Sequence, residues 1–242
     1  MSLFGNITTD DSSIASEKDS LGGSRALASG AYDFVIKLAY VITAKSEAMG
    51  VVLELETANG EKLKHTEYVT SGKEKGCKNY YEKNGEKHYL PGFNNINAVC
   101  LLTVGKELKE MEHEEKQVPI YNAEAKAERP TKVPVLVDLI GQKITFGVLK
   151  EINNKTKYNE TTRTRDIVEG TVEQNVVDKV FRTSDRKTVA EIRAKEPEAV
   201  FYPAWVEKNT GKDRNRVKDV PAGGSGTAGA PKKPTNSLFG GE

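Results

Sequence analysis

The residues of this chain best suited to chemistry lie between Gly72 and Phe93, where Lys73, Lys75, Lys78, Lys83 and Lys87 are interleaved with Tyr80, Tyr81, Tyr89 and Phe93. Ammonium groups among aromatic rings suit an extended polyanion that carries flat bases. The cations track phosphates, and exposed rings stack on bases at roughly 1–3 kcal/mol per base. Lys62 and Lys64 just upstream, with Tyr40 and Tyr68 on neighbouring stretches, extend the candidate set, while Glu74, Glu82 and Glu86 oppose it. The plainer account of the same residues is a solvated hairpin turning at Asn84-Gly85, with its tyrosines partly packed on the body. Side chains alternate along an extended chain, so the adjacent Tyr80 and Tyr81 are predicted to face opposite ways, one packed and one free.

A second basic run, Lys208, Lys212, Arg214, Arg216 and Lys218, follows Trp205 and is partly offset by Glu207 and Asp213; Arg163 and Arg165 lie in a Thr-rich stretch that would join it. Such a run is ordinarily a solvated face. His65, Cys77, His88 and Cys100 have side chains that zinc accepts, but structural zinc sites pair their ligands closely, as in C-x₂₋₄-C, and these four are nearly evenly spread. Cys100 fits the buried face of a helix and Cys77 a loop, so no metal is expected. Gly224-Ser-Gly226-Thr-Ala-Gly229 matches the dinucleotide fingerprint in form, without a strand before it or a helix after it; Gly72-Lys-Glu-Lys-Gly76 lacks the Gly-Lys-Ser/Thr ending of a phosphate loop. There is no Gly-x-Ser-x-Gly elbow and no His-Glu-x-x-His, and His65, His88 and His113 are the only histidines. These absences point away from catalysis and from a cofactor.

The elements that must position the Lys/Tyr segment are β-rich. Gly30 to Lys45 alternates Tyr32, Phe34, Ile36 and Leu38 against Asp33, Val35, Lys37 and Ala39, the period of a half-buried strand. Met49 to Glu56 reads as a second strand and Lys62 to Thr70 as a third, joined by a turn at Asn59-Gly60. Beyond Pro91-Gly92, the residues Ile96, Val99, Cys100, Leu102 and Thr103 share one face of a helix from about Asn94 to Gly105. Val133 to Leu139 and Lys143 to Ile152 read as closing strands after a polar insertion around Glu110 to Pro130. The expectation is a mainly β fold, a single OB-type β-barrel closing by about residue 155, with a helix between its third and fourth strands. Asn153 to Asn175 is expected to be a mobile polar loop. Val176 to Phe181, Thr188 to Ala194 and the aromatic cluster Glu198 to Val206 form a loosely determined C-terminal extension.

With 242 residues, of which 37% are apolar, the chain can bury one sizeable core. Its 36 Lys and Arg against 35 Asp and Glu give a net charge of +1, so a nucleic-acid role has to come from local patches, not from the total. No apolar run reaches the length of a membrane span, and Asn6 to Asp19 lacks the regions of a signal peptide. Two cysteines suggest free thiols in a reducing compartment. Residues 1–29 read as a flexible acidic arm, 30–219 as the folded domain and 220–242 as a Gly/Pro/Ala-rich tail. Ser2-Leu3-Phe4-Gly5 recurs as Ser237-Leu238-Phe239-Gly240.

The run from Lys78-Asn-Tyr-Tyr-Glu-Lys-Asn-Gly-Glu-Lys-His-Tyr-Leu-Pro-Gly-Phe to Leu108 resembles a segment of the single-stranded-DNA-binding proteins of tailed bacteriophages, siphophages such as Enc34. Pro130 to Leu139, Val177 to Phe181, Thr188 to Ile192 and Trp205 to Lys218 continue that resemblance over about Gly30 to Lys218. It implies an OB fold, sequence-independent coating of single strands in phage DNA replication, recombination or repair, self-association along the strand, no enzymatic activity, and a place in the cytoplasm of the host bacterium. Single-strand-binding proteins often end in an acidic, hydrophobic tip that recruits replication proteins, whereas this tail carries Lys232 and Lys233. A strand-annealing recombination protein is the alternative, to be told apart by annealing faster than coating explains. A nuclease would need a carboxylate cluster that the sequence does not offer.

Overall fold

The computed structural model describes residues 26–122, 125–162 and 164–219. The expected acidic arm up to residue 25 and the tail 220–242 lie outside them. Residues 26–29, assigned to the arm, are docked: the Asn175 amide exchanges two 2.8 Å hydrogen bonds with the Leu27 backbone, and buried Ser29 accepts from the Lys150 N–H.

The described residues are mainly β. The strands are β1 (Gly30–Thr43), β2 (Met49–Thr57), β3 (Lys62–Tyr68), β4 (Tyr80–Lys83), β5 (Glu86–Tyr89), β6 (Glu114–Asn122), β7 (Ala127–Val135), β8 (Lys143–Asn159), β9 (Thr164–Phe181) and β10 (Arg214–Asn215). The helices are α1 (Pro91–Val104), α2 (Val189–Arg193) and α3 (Phe201–Asn209). One eight-stranded sheet runs β10-β8-β1-β2-β3, with β7 also on β1, β6 on β7 and β9 on β8; β4 and β5 pair separately. All its pairings are antiparallel except β10 with β8.

The long first strand organises the sheet. Its first half, Gly30 to Val35, pairs with Val148 to Lys143, and Tyr40 further on pairs with Val135. Between Ile36 and Leu38 the register against β2 shifts, an irregularity that bends the strand as it changes partners. The alternation read from sequence places Tyr32, Phe34, Ile36 and Leu38 on one face, but the shift moves Leu38, and Tyr40 after it, to the other. Ala39 joins the main core with Phe34, Ile36, Leu53, Ile96, Ile144 and Phe146, whereas Tyr40 packs with Val52, Val118, Val133 and Val135. Those last three valines belong to the β6–β7 hairpin, which takes the place of the expected polar insertion and covers the outer face of β1 and β2.

Helix α1 starts at Pro91, about three residues earlier than the pattern suggested, and ends at Gly105 in the left-handed conformation, φ 74°. In chain order it follows the small β4–β5 hairpin. No strand ladder joins β3 to β9 among the described residues, so the sheet does not close into a hydrogen-bonded cylinder. In the gap, the Asn95 Nδ2 on α1 donates to Glu67 Oε1 on β3 at 2.9 Å and to the Val177 carbonyl on β9 at 3.3 Å.

The stretch Asn153 to Asn175, expected as a mobile loop, is instead most of a long antiparallel arm, with Thr156 opposite Ile167 and Tyr158 opposite Arg165. Its β-branched residues favour extended backbone. Both of its faces are largely solvated, which removes the alternation that would mark it as strand. Beyond it, Trp205 on α3 packs with Leu149 and Phe181 while its Nε1 donates to Asp178 at 2.8 Å. Glu191 forms a capping box with Thr188 at the start of α2, and its other oxygen accepts the Val200 and Phe201 N–H groups that open α3. Burial would raise the Glu191 carboxyl, but these backbone donors outweigh it and hold it below the usual range.

Candidate nucleic-acid interface

After β3 the chain runs through a single 3-10 turn, Lys73–Lys75, left in the left-handed region by Gly76 (φ 76°) and Cys77 (φ 52°). Backbone hydrogen bonds fix this loop: the Lys73 N–H donates to the Ser46 carbonyl at 2.7 Å, and the Ser71 N–H to the Lys78 carbonyl at 2.7 Å. The loop therefore stands against the β1–β2 turn. The β4–β5 hairpin follows, reversing through Asn84 (φ 53°) and Gly85 (φ 81°), a two-residue turn with both central residues at positive φ. At its base the Leu90 N–H donates to the Asn79 carbonyl at 2.8 Å, one residue before α1 begins.

These pieces enclose an open cleft of about 890 Å³. Lys73, Lys75 and Lys78 line it on the loop, Tyr68 at the end of β3, and Tyr80 and Tyr81 on the hairpin; Lys45, Glu47, Glu74 and Glu82 complete the charged lining. Lys73 is paired with Glu47 at 2.7 Å, both side chains more than half exposed, a contact that water and salt weaken. Four lysines against three glutamates leave the cleft mildly cationic.

The hairpin register puts Tyr80 opposite Tyr89 and Tyr81 opposite His88, so the two adjacent tyrosines do face opposite ways. Tyr80 is half-buried beneath two ammonium groups, Lys78 at 5.4 Å and Lys87 at 5.0 Å from its ring centre. Tyr81 is 44% exposed and lies against His88, with ring centres 5.5 Å apart. Tyr89, 57% exposed, meets half-buried Phe93 at 4.9 Å. Lys83, at the hairpin tip, is exposed.

Lys83, Lys87, Tyr89 and Phe93 are not part of the cleft lining, and Tyr40, Lys62 and Lys64 also stand apart from it. Tyr40 is only 1% exposed, so it offers no stacking face, because the β6–β7 hairpin covers the side of β1 on which it lies. Lys64 spans from Glu54, at 2.8 Å, to a position over the Tyr40 ring at 5.7 Å, and Lys62 is exposed at the start of the same strand. Lys45, Ser46 and Glu47 had no distinguishing signal in the sequence. They join the cleft because the loop docks on them, through the Lys73 N–H on the Ser46 carbonyl and the Lys73 ammonium on Glu47.

Two of the five cations of the second basic run, Arg214 and Arg216, are held in ion pairs. Arg214 and Arg216 reach Glu151 at 3.2 and 2.8 Å, Arg214 also approaches Asp178 at 3.5 Å, and Asp213 pairs with Lys150 at 2.8 Å. Arg165 approaches the Thr156 hydroxyl at 3.5 Å, and Arg163 lies outside the described residues. The four zinc-type side chains are scattered: His65 contacts Glu67 at 2.9 Å, His88 lies on the hairpin, Cys77 is exposed, and Cys100 is buried in α1. Burial pushes the Cys100 thiol up to about 12, so it remains a neutral, core-filling group. Among the described residues no cluster of three or more His, Cys, Asp or Glu is placed to hold a metal, and no helix is long and apolar enough to cross a membrane.

The chain matches no family model, and no curated protein matches it.

Proposed function

We propose that this protein binds single-stranded DNA with little sequence preference, as a non-catalytic coating protein of a tailed phage acting in DNA replication, recombination or repair in the host cytoplasm. The observation that carries the reading is the cleft, in which Lys73, Lys75 and Lys78 stand beside Tyr68, Tyr80 and Tyr81. Ammonium groups neutralise successive phosphates, and the rings supply base-stacking faces that do not distinguish one base from another. Neither element reads base edges, so binding should be nearly blind to sequence.

The topology supports an OB-type barrel as the scaffold. A three-strand meander β1–β2–β3 is followed by α1, and β8–β9 then returns to the first half of β1. The barrel in this reading is open between β3 and β9, with Asn95 of α1 spanning the opening. Self-association along the strand and contacts with replication proteins belong to the same proposal.

The test is a parallel titration of labelled oligo-dT, a mixed-sequence single strand and a duplex, at two salt concentrations. Both single strands should bind with similar affinity and more tightly than duplex, and binding should weaken with salt by a log–log slope of about −0.7 per phosphate neutralised. Equal affinity for duplex, or no binding, would overturn the proposal.

A further inference from the structure

Away from the cleft, a second concavity of about 460 Å³ lies between α1, the end of β9, α2 and the start of α3, within the size range of small-ligand pockets. Its apolar surface comes from Ala98 and Leu101 of α1, Val180 of β9, Val189 of α2 and Phe201 of α3. The apolar surface continues outside it, since Phe201 is 40% and Val200 65% exposed. Lys179 and Arg193 are also in its lining, Lys179 with its ammonium 5.6 Å from the Phe201 ring centre. The one carboxylate of the lining, Glu191, is taken up by Thr188, Val200 and Phe201. With Asn94, Asn95, Asn97 and Thr188 as its neutral polar groups, the groove therefore combines apolar surface with two cations and no free carboxylate.

The chain itself carries a segment of matching chemistry, twice. Leu238 and Phe239 are the only large apolar side chains in 220–242 after Val220, and the tetrapeptide around them, Ser237 to Gly240, repeats Ser2 to Gly5 letter for letter. Acidic residues follow each copy, Glu242 after one and Asp10 and Asp11 after the other, which complements Lys179 and Arg193. Eighteen residues separate Asp219 from Leu238, and twenty-one separate Phe4 from Ala26. At roughly 3.3 Å per residue, either connection spans up to about 60 Å, enough to reach a neighbouring molecule.

We propose that this groove is the receptor for the Ser-Leu-Phe-Gly tetrapeptide, with Leu and Phe as its two apolar anchors. Each chain has two such tetrapeptides for this one groove, so at least one is left over to seat on a second copy and link neighbours. The groove is separate from the Lys/Tyr cleft, and the inference does not rest on the DNA-binding reading.

The test uses the full-length chain with Leu3→Ala, Phe4→Ala, Leu238→Ala and Phe239→Ala, which empties the groove of its own ligands. Its probe is a fluorescent Asn-Ser-Leu-Phe-Gly-Gly-Glu peptide, with a scrambled peptide as control, followed by anisotropy without DNA. The native peptide should bind and the scrambled one should not. Ala190→Lys, on the exposed side of α2, and Phe201→Ser should each weaken binding by about tenfold, the loss typical of removing one anchor of a small contact. Sedimentation velocity of the unsubstituted protein should show association that the fourfold variant lacks. Absence of peptide binding, or binding that survives both groove substitutions, would overturn the proposal. Displacement of the peptide by oligo-dT alone would do the same, by placing the tetrapeptide in the DNA cleft.

Discussion

Replacing Tyr80 and Tyr81 separately by Ala tests whether the hairpin is a base platform or only a solvated turn. Tyr81 is 44% exposed, and its ring contact is His88, so truncation removes one cross-strand pair worth roughly 0.2–1 kcal/mol to the hairpin. If its free face stacks on a base, Tyr81→Ala also removes roughly 1–3 kcal/mol of binding, a loss of about 5- to 150-fold in affinity. Tyr80 lies beneath Lys78 and Lys87, each such cation–ring contact contributing about 0.5–1 kcal/mol, and it faces Tyr89 across the hairpin. Tyr80→Ala should therefore act chiefly on structure, raising amide hydrogen exchange along β4 and β5 by about tenfold or more. Anisotropy with oligo-dT reads the binding term, and exchange at the hairpin amides reads the structural one. Stacking releases few counterions, so the Tyr81→Ala loss should be nearly the same at low and moderate salt. The reasoning fails if both variants bind as the parent does and only exchange rates change; the rings would then be structural.

Substituting Lys73, Lys75 and Lys78 together by Ala should weaken binding to all single strands alike and reduce the log–log salt slope by about 2, three cations at about 0.7 each; an unchanged slope would remove these lysines from the phosphate path. The Arg186 guanidinium hydrogen-bonded to Asp33 holds that carboxyl below its usual range, and Arg182 does the same for Asp185. A carboxyl with a depressed native value contributes stability that is present above its unfolded value of about 3.9 and is lost as pH falls through the native value. The melting temperature should accordingly drop below about pH 4. The deficit of Asp33→Asn relative to the parent should shrink there, and a deficit that stays constant from pH 7 to pH 3 would rule the linkage out. A Cβ on Gly147 would come within 2.7–2.9 Å of three atoms of the Trp205 ring, so Gly147→Ala should destabilise by about 1–3 kcal/mol and alter the fluorescence of the only tryptophan; an unperturbed emission spectrum would contradict that packing.

The parts of the molecule with one wet and one dry face were legible in the sequence. The period of two marked β1, the one-sided apolar set marked α1, and Asn59-Gly60 and Asn84-Gly85 marked the β2–β3 and β4–β5 turns. The misreadings have physical causes. The irregularity at Ile36 to Leu38 has no composition signature, yet it exchanges the faces of the later residues in β1, and so moves Tyr40 from the main core to the side that the β6–β7 hairpin covers. The β8–β9 arm looked like loop because a two-stranded ribbon with both faces in water carries no alternation. Arg214 and Arg216 looked free because Glu151, which neutralises them, is more than sixty residues away along the chain. Lys73, Lys75, Lys78, Tyr80 and Tyr81 were found because they are local in sequence. Lys45 and Glu47 were not, because their place in the cleft depends on the loop docking through Ser46.

The cleft also depends on how closely α1 approaches β3, and Gly92 sets the distance. A Cβ at Gly92 would lie 2.4 Å from the Tyr68 carbonyl oxygen and 2.9 Å from a Glu67 carboxylate oxygen. The first of these is backbone and cannot turn aside, so Gly92→Ala must push the helix start from the end of β3. Leu90 and Pro91 connect that helix start to the hairpin, whose base is closed by the Leu90–Asn79 hydrogen bond, and Tyr68 is itself part of the cleft. The displacement should therefore reach the hairpin. Gly92→Ala is expected to lower stability by about 1–3 kcal/mol, or roughly 2–4 °C of melting temperature per kcal/mol, and also to weaken oligo-dT binding although no cation or ring has been removed. Gly105→Ala, at the far end of the same helix, strains a positive φ with open space around it, so it should cost about 1 kcal/mol of stability and leave binding intact. If Gly92→Ala melts lower but binds as tightly as Gly105→Ala, the cleft is indifferent to the β3–α1 contact, and the hairpin must be positioned by the Ser46 and Ser71 contacts alone.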